Sequence, residues 1–226
     1  MAIRPGDLKG RSLRPAWPEV KCRFVPDWKA ARIRRVSGVK RAQMPSLDLI
    51  PHPSTPSAPI RSISVDIEQV APAALSLRYR LTGSIDDIAL PPVETAARAD
   101  DLWRHTCFEA FFRQPRSASY VEFNFSPSTR WAAYEFTGYR DGMSDAIESP
   151  APRIGVTRSA SGLTLASSLD LAWMKAELSG ARLALSAIIE DRSGAKSYWA
   201  LAHPSAKPDF HHPDGFICIL KRDTRP

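Results

Sequence analysis

Glycine is scarce in this chain of 226 residues, where 11 glycines stand against 20 prolines. That balance disfavours long helices, because a proline inside a helix removes a backbone donor and clashes with the preceding turn. Cysteine is nearly absent as well. Cys22, Cys107 and Cys218 are odd in number and show no C-x-x-C spacing, which excludes a disulfide framework and a thiolate zinc site. Cys107 and Cys218 sit in apolar runs and read as ordinary buried thiols. No run approaches the roughly 20 apolar residues of a membrane helix, and the N-terminus lacks the short apolar core of a secretory signal. A cytoplasmic address is the default. The chain also has no glycine-rich dinucleotide loop for a flavin enzyme. It has no G-x-S-x-G elbow and no Cys–His pairing with a third member.

What is present divides unevenly. The formal charge of +7 suggests a nucleic-acid partner until it is mapped along the chain. Residues 1–43 hold twelve Lys and Arg against Asp7, Glu19 and Asp27, leaving nineteen basic and twenty-one acidic residues for the rest. The basic excess therefore says nothing about the partner of the folded body, for which nucleic acid and membrane are not expected. Residues 1–43 read as a basic, disordered extension; a transit peptide, a nucleic-acid arm, or leader sequence upstream of a start at Met44 are the alternatives. Residues 44–59, with five prolines, read as an extended lead-in.

From residue 60 to 226 the texture changes. RSISVDIEQV and ALSLRYRLTG alternate apolar and polar residues, and eight further segments follow at roughly ten-residue spacing. These are HTCFEAFFRQ, SYVEFNFSP, WAAYEFTGY, RIGVTRS, GLTLASSLDL, ARLALSAIIEDRSG, KSYWALAH and GFICILKR. Strands spaced in this way without helical patterns between them predict a single all-β domain, an antiparallel β-sandwich of about ten strands. One or two short helices are expected, near 94–103 and 169–178.

The stretch YVEFNFSPSTRWAAYEF (120–136) carries the first chemical signal. At period two, Val121, Phe123 and Phe125 form one row, and Tyr120, Glu122, Asn124 and Ser126 the other. In HTCFEAFF the same alternation sets Cys107, Glu109 and Phe111 on one face, so Glu109 is a carboxylate among apolar neighbours. An unpaired buried carboxylate is costly, so Glu109 calls for a partner such as Arg104 or Arg140, or for a ligand. Aromatic faces cover the apolar side of a pyranose, while carboxylates, amides and arginines take its hydroxyls. Trp103, Trp131, Tyr134, Tyr139 and Trp199 suit the first role; Glu109, Glu122, Asn124 and Arg140 suit the second. The plainer alternative is an internal network of the same polar groups with Arg104 and Arg140, holding strands in register.

Taken together, DDLWRHTCFEAFF, YVEFNFSPSTRWAAYEFTGYRDGM, LALSAIIED and SYWALAHPSAKPDFHH resemble the bacterial DOMON-like family, which is related to the family 9 carbohydrate-binding modules. The resemblance covers residues 45–226. It implies a jelly-roll-like sandwich that binds a small ligand, a sugar or haem; the missing catalytic motifs separately favour a binding module over an enzyme.

Other chemistries are weaker. HPSAKPDFHH (203–212) has three histidines and Asp209, but its spacing matches no compact zinc pattern. The stretch reads instead as a loop, with His203, Lys207 and Asp209, closing one end of the sandwich. Calcium would be in keeping with family 9 modules. Asp86, Asp87, Asp100 and Asp101 offer oxygens for it, but outside the usual dense loop. Haem would take His105, His203 or Met143 as an axial ligand. A small enzyme would use Glu109 and Glu122 as acid and base.

Overall fold

The computed structural model describes residues 20–23 and 46–221, with side chains from residue 46 to 220. Among the described residues, thirteen strands account for nearly all regular structure. In chain order they are β1 (Val20–Arg23), β2 (Leu47–Pro51), β3 (Ile60–Ala71), β4 (Ala74–Gly83), β5 (Cys107–Arg113), β6 (Tyr120–Phe125) and β7 (Trp131–Phe136). There follow β8 (Ser144–Asp145), β9 (Arg153–Arg158), β10 (Gly162–Asp170), β11 (Arg182–Glu190), β12 (Lys196–Ala200) and β13 (Cys218–Lys221). The ten segments read from spacing are β3 to β7 and β9 to β13. The helical segments are shorter than expected. Leu102–Arg104 and Ala172–Met174 each make a single 3-10 turn.

The strands hydrogen-bond in the order β8-β7-β6-β5-β11-β12-β2-β3-β4-β10-β9, and the path doubles over to give two layers. β2 makes the corner. Its first half pairs with β3 (Leu47 opposite Val65, Leu49 opposite Ile63), and its end pairs with β12 (Ile50 opposite Ala200). Strands that change sheets in this manner close the corners of sandwiches. The stretch read as an extended lead-in thus contributes a structural strand, with Leu47, Leu49 and His52 buried. Within residues 1–43, β1 lies parallel to β13, and the other residues of that segment are outside those described.

Period-two alternation decides what fills the space between the layers. Phe108, Ala110 and Phe112 of β5 and Phe123 and Phe125 of β6 meet Ile63, Val65, Leu77 and Leu165 from the opposite sheet. Each large side chain fully buried in this way stabilises the fold by roughly 1.5–3 kcal/mol. Tyr79 crosses the core. Its hydroxyl donates to the main-chain carbonyl of Glu109 at 2.7 Å, tying β4 to β5 from within. Cys107 is a free, buried thiol, whereas Cys218 is disulfide-bonded. This corrects the reading of Cys218 as an ordinary thiol, a reading made from its apolar flanks alone.

Candidate functional site

The other face of β5, β6, β7 and β11 is not solvated. A second cluster, including Phe111, Tyr120, Tyr134, Phe136 and Phe216, covers it. Three segments roof it: residues 98–104, the turn after β7, and the long connection from β12 to β13. In that turn Arg140 (φ 53°) and Gly142 (φ 61°) are both left-handed. A Cβ on Gly142 would lie 2.0 Å from Thr137 Oγ1, so glycine is required there. The tight reversal presents Tyr139 and Arg140 towards the β12–β13 connection, where both reach Asp209. Arg140 donates to Asp209 Oδ1 from two nitrogens, at 2.8 and 3.2 Å, and the Tyr139 hydroxyl donates to Oδ2. The main-chain N–H of His211 also donates to Oδ1, at 3.2 Å. Burial alone would raise the Asp209 carboxyl, but these donors outweigh it and hold the group below its ordinary range.

Under this roof lies the polar row. Glu109 faces Asn124 across the β5–β6 pair, and Phe111 faces Glu122, so the two carboxylates are diagonal neighbours on one face. Glu109 is 2 % exposed and Glu122 is 5 % exposed. Ser186 on β11 donates to Glu109 Oε2 at 2.9 Å, and Asn124 Nδ2 donates to Glu122 Oε1 at 2.7 Å. The thiol of Cys107 faces Asn124 Oδ1 at 3.6 Å. Burial raises both carboxyls well above the carboxylate range. The Glu122 charge adds to this at Glu109, and the Ser186 and Asn124 hydrogen bonds only partly offset it.

His211 closes the row from above. Its Nδ1 shares a 2.7 Å hydrogen bond with the Tyr120 hydroxyl, and its Nε2 stands 3.8 Å from Glu122 Oε2. Burial, assisted by the nearby Arg140, lowers His211 to about 4, so the ring is neutral near physiological pH. Burial likewise pushes the Tyr120 phenol up to about 12. Outside His211, a cleft of about 240 Å³ is walled by Arg113, Tyr120, Tyr139, His211, Pro213 and Phe216. A larger open groove of about 390 Å³ lies at the β7–β8 edge beside Glu135, Glu148 and Trp173, away from the sealed polar row.

The structure brings together Glu109, Glu122, Asn124, Tyr139, Arg140 and Asp209 from the residues expected at the site. It separates others. Trp131 and Trp199 point into the core between the sheets, where the indole of Trp199 donates to Ser197 Oγ at 3.0 Å. Trp103 is 46 % exposed, with the Arg104 guanidinium 5.3 Å from its ring centre, and Arg104 pairs with Asp101 at 3.1 Å. The hydrogen-bond partner of Glu109 is Ser186, not Arg104 or Arg140. Lys207 is exposed, and His203 Nε2 hydrogen-bonds the Ile50 carbonyl at 2.9 Å, pinning the start of the closing loop to β2. Sequence reasoning left out Ser186 and His211 as site residues. They join the row from positions 77 and 91 residues away from their partners, and no local pattern signals such contacts.

The proposed cofactor groups do not converge. His105 bonds Glu190 at 2.7 Å, His203 is held by β2, and Met143 is 59 % exposed on a turn. Asp100 accepts from Tyr134 and Asp101 pairs with Arg104, while Asp86 lies 3.5 Å from Arg158. Among the described residues, no group of three or more His, Cys, Asp or Glu side chains is placed to hold a metal ion. Among the described residues, too, no helix is long and apolar enough to cross a membrane.

No family model matches the chain, and no curated protein does. Solved structures do. A "putative carbohydrate-binding protein" from Bacteroides uniformis ATCC 8492 is 14 % identical, with a TM-score of 0.58 over 78 % of this chain and 85 % of its own. A family 9 carbohydrate-binding module from Caldicellulosiruptor kristjanssonii in complex with cellotriose is 9 % identical, with a TM-score of 0.49 over 91 % of this chain and 94 % of its own. The module in complex with glucose is 10 % identical, with a TM-score of 0.47 over 92 % and 98 %. The first likeness is one of fold.

Proposed function

We propose that the roofed outer face of β5, β6, β7 and β11 is a binding site for a saccharide or related polyhydroxylated small molecule, without turnover. The observation that carries this reading is the sealed row of Glu109, Glu122, Asn124 and Ser186 beneath an aromatic-walled cleft. Buried carboxylates with so few donors are expensive as plain scaffolding. Beneath rings such as Tyr120, Tyr139 and Phe216, they form the acceptor set and apolar wall that a sugar ring needs. The similarly folded protein from Bacteroides uniformis bears a carbohydrate-binding description in keeping with this.

A thermal-shift panel of mono- and disaccharides on the full chain tests it. A sugar at about 100 times its dissociation constant adds roughly 2.7 kcal/mol to stability. The expected result is a clear upward shift with one saccharide class that is lost in Glu122→Ala. A cooperative melt unmoved by every sugar would overturn the reading.

A further inference from the structure

The polar row is short of donors, and among the described residues no cation is hydrogen-bonded to its carboxylates. Resting on the saccharide reading above, we infer that the group recognised by Glu109 and Glu122 is a protonated amine, so the ligand class is an amino sugar or a similar hydroxylated amine. The two carboxylates offer four oxygens, and the side-chain donors hydrogen-bonded to them are the Ser186 hydroxyl and the Asn124 amide. The imidazole Nε2 of His211, at 3.8 Å, is beyond hydrogen-bond reach. Four arginines around the face make their contacts with other groups. Arg140 forks onto Asp209, Arg98 pairs with Asp145 at 3.0 Å, Arg104 pairs with Asp101, and Arg113 donates to the Pro213 carbonyl at 3.0 Å. Among the described residues, no lysine or arginine donates to Glu109 or Glu122.

The remaining titratable groups facing the pair deepen the imbalance. From β5 comes the Cys107 thiol, turned to Asn124, and from β6 the Tyr120 phenol, shared with His211. From β7 the Tyr134 hydroxyl donates to Asp100 at 2.8 Å, while β11 sets the neutral Ser186 opposite Glu109 and carries Arg182 farther along, opposite Arg113. The roof supplies neutral His211 and the paired Arg140 and Asp209. The cation that acts on both carboxyls, Arg140, is committed to Asp209, so three acidic groups share its one charge. A sugar hydroxyl brings one donor and no charge, whereas an ammonium brings three donors and the missing charge together. Without a ligand, burial keeps both carboxyls above their usual range, Glu109 at about 8 and Glu122 at about 7, so both hold protons just below neutral pH. An incoming ammonium takes the place of those protons, which leave to the buffer as the two carboxylates become ionised.

Isothermal titration of the full chain just below neutral pH, with glucose, glucosamine, N-acetylglucosamine and ethanolamine, tests this. Repeating it in two buffers of different ionisation enthalpy counts protons. The expected result is glucosamine binding at least about tenfold more tightly than glucose or N-acetylglucosamine, a difference of about 1.4 kcal/mol. Proton release should accompany it, and Glu109→Gln should erase the preference. Because the readout is a ratio of affinities within one protein, a modest change in stability leaves it intact. Equal or tighter binding of the neutral sugars would overturn the amine inference and leave the saccharide reading standing. Binding of ethanolamine with none of the sugars would do the reverse. Silence from all four, in a protein that melts cooperatively, would overturn both.

Discussion

On one face of the β5–β6–β7–β11 sheet stand Phe108, Ala110, Phe123 and Leu185. On the other stand Glu109, Glu122, Asn124 and Ser186, and none of the eight is more than 5 % exposed. Equal burial has been reached by different means. The first set is covered by a second sheet whose side chains interdigitate with it. The second is covered by irregular segments held to one another through the Tyr139, Arg140 and Asp209 contacts. A sheet covering apolar groups returns the transfer free energy of everything it buries. A roof over carboxylates must offset their desolvation and recovers only part of it. The inner face therefore supports the fold, and the outer face draws on it. Stability drawn down in that way is a common mark of a functional site.

The largest way to sharpen this contrast is Phe123→Ala. Phe123 is 1 % exposed, meeting Phe112 edge-on at 5.8 Å and stacking on Phe125 at 6.2 Å. Its truncation should cost about 3–5 kcal/mol, seen as a lower urea midpoint at unchanged slope. A loss below about 1 kcal/mol would mean that the inner face is not the main source of stability.

The same experiment on the outer face should give the opposite sign. Glu109 has a folded pKa raised by burial and by Glu122, above the unfolded value of about 4.3. Such a carboxyl contributes fully to stability while protonated, below the ordinary carboxylate range. It loses that contribution as pH rises towards the raised value. Glu109→Gln removes the loss, so the variant should gain on the parent progressively from acid to mildly alkaline pH, by on the order of 1–2 kcal/mol at the plateau. His211 works the other way. Lowered to about 4, it favours the fold above the ordinary histidine range and less as pH falls below that, but it is common to both proteins and largely cancels in the difference. Paired melting curves across pH check this. A variant less stable than its parent at neutral pH would show that the polar row is structural after all.

The inner face was legible in the sequence because alternation is local: ten strands and their apolar rows follow from composition at period two. β2 was obscured by its surroundings. Pro45, Pro51 and Pro53 flank a real Leu47/Leu49 alternation, and only the pairing with β3 and β12 reveals it. The outer face was legible by halves. Glu109, Glu122 and Asn124 stand out because polar residues in an apolar strand break a pattern. Trp131 and Trp199 were misleading for the same reason that Phe123 was clear. An aromatic ring suits a core as well as a sugar, and parity along β7 and β12, not residue type, places these two inside. Ser186 and His211 follow from topology, since β11 lies beside β5 only because the sheet order is non-sequential.

The smallest expected effect on stability bears most directly on how the outer face is sealed. Asp209→Ala removes the acceptor shared by Tyr139, Arg140 and the His211 N–H. The Arg140 side chain is 52 % exposed and Tyr139 is 50 % exposed, so both rehydrate readily, and the global cost should stay within about 1 kcal/mol. The start of the loop remains pinned by His203 on Ile50 and by His52, whose Nε2 hydrogen-bonds the Ser205 carbonyl at 3.2 Å. The loosening should therefore be confined to the stretch beyond residue 206. Amide hydrogen exchange there should accelerate by an order of magnitude or more while β5 and β6 keep their protection, because local opening can be far cheaper than unfolding. Uniform acceleration across both sheets would make Asp209 part of the fold. Unchanged exchange would shift the sealing role to Phe210 and Phe216, and the two faces would then be closed by the same apolar means.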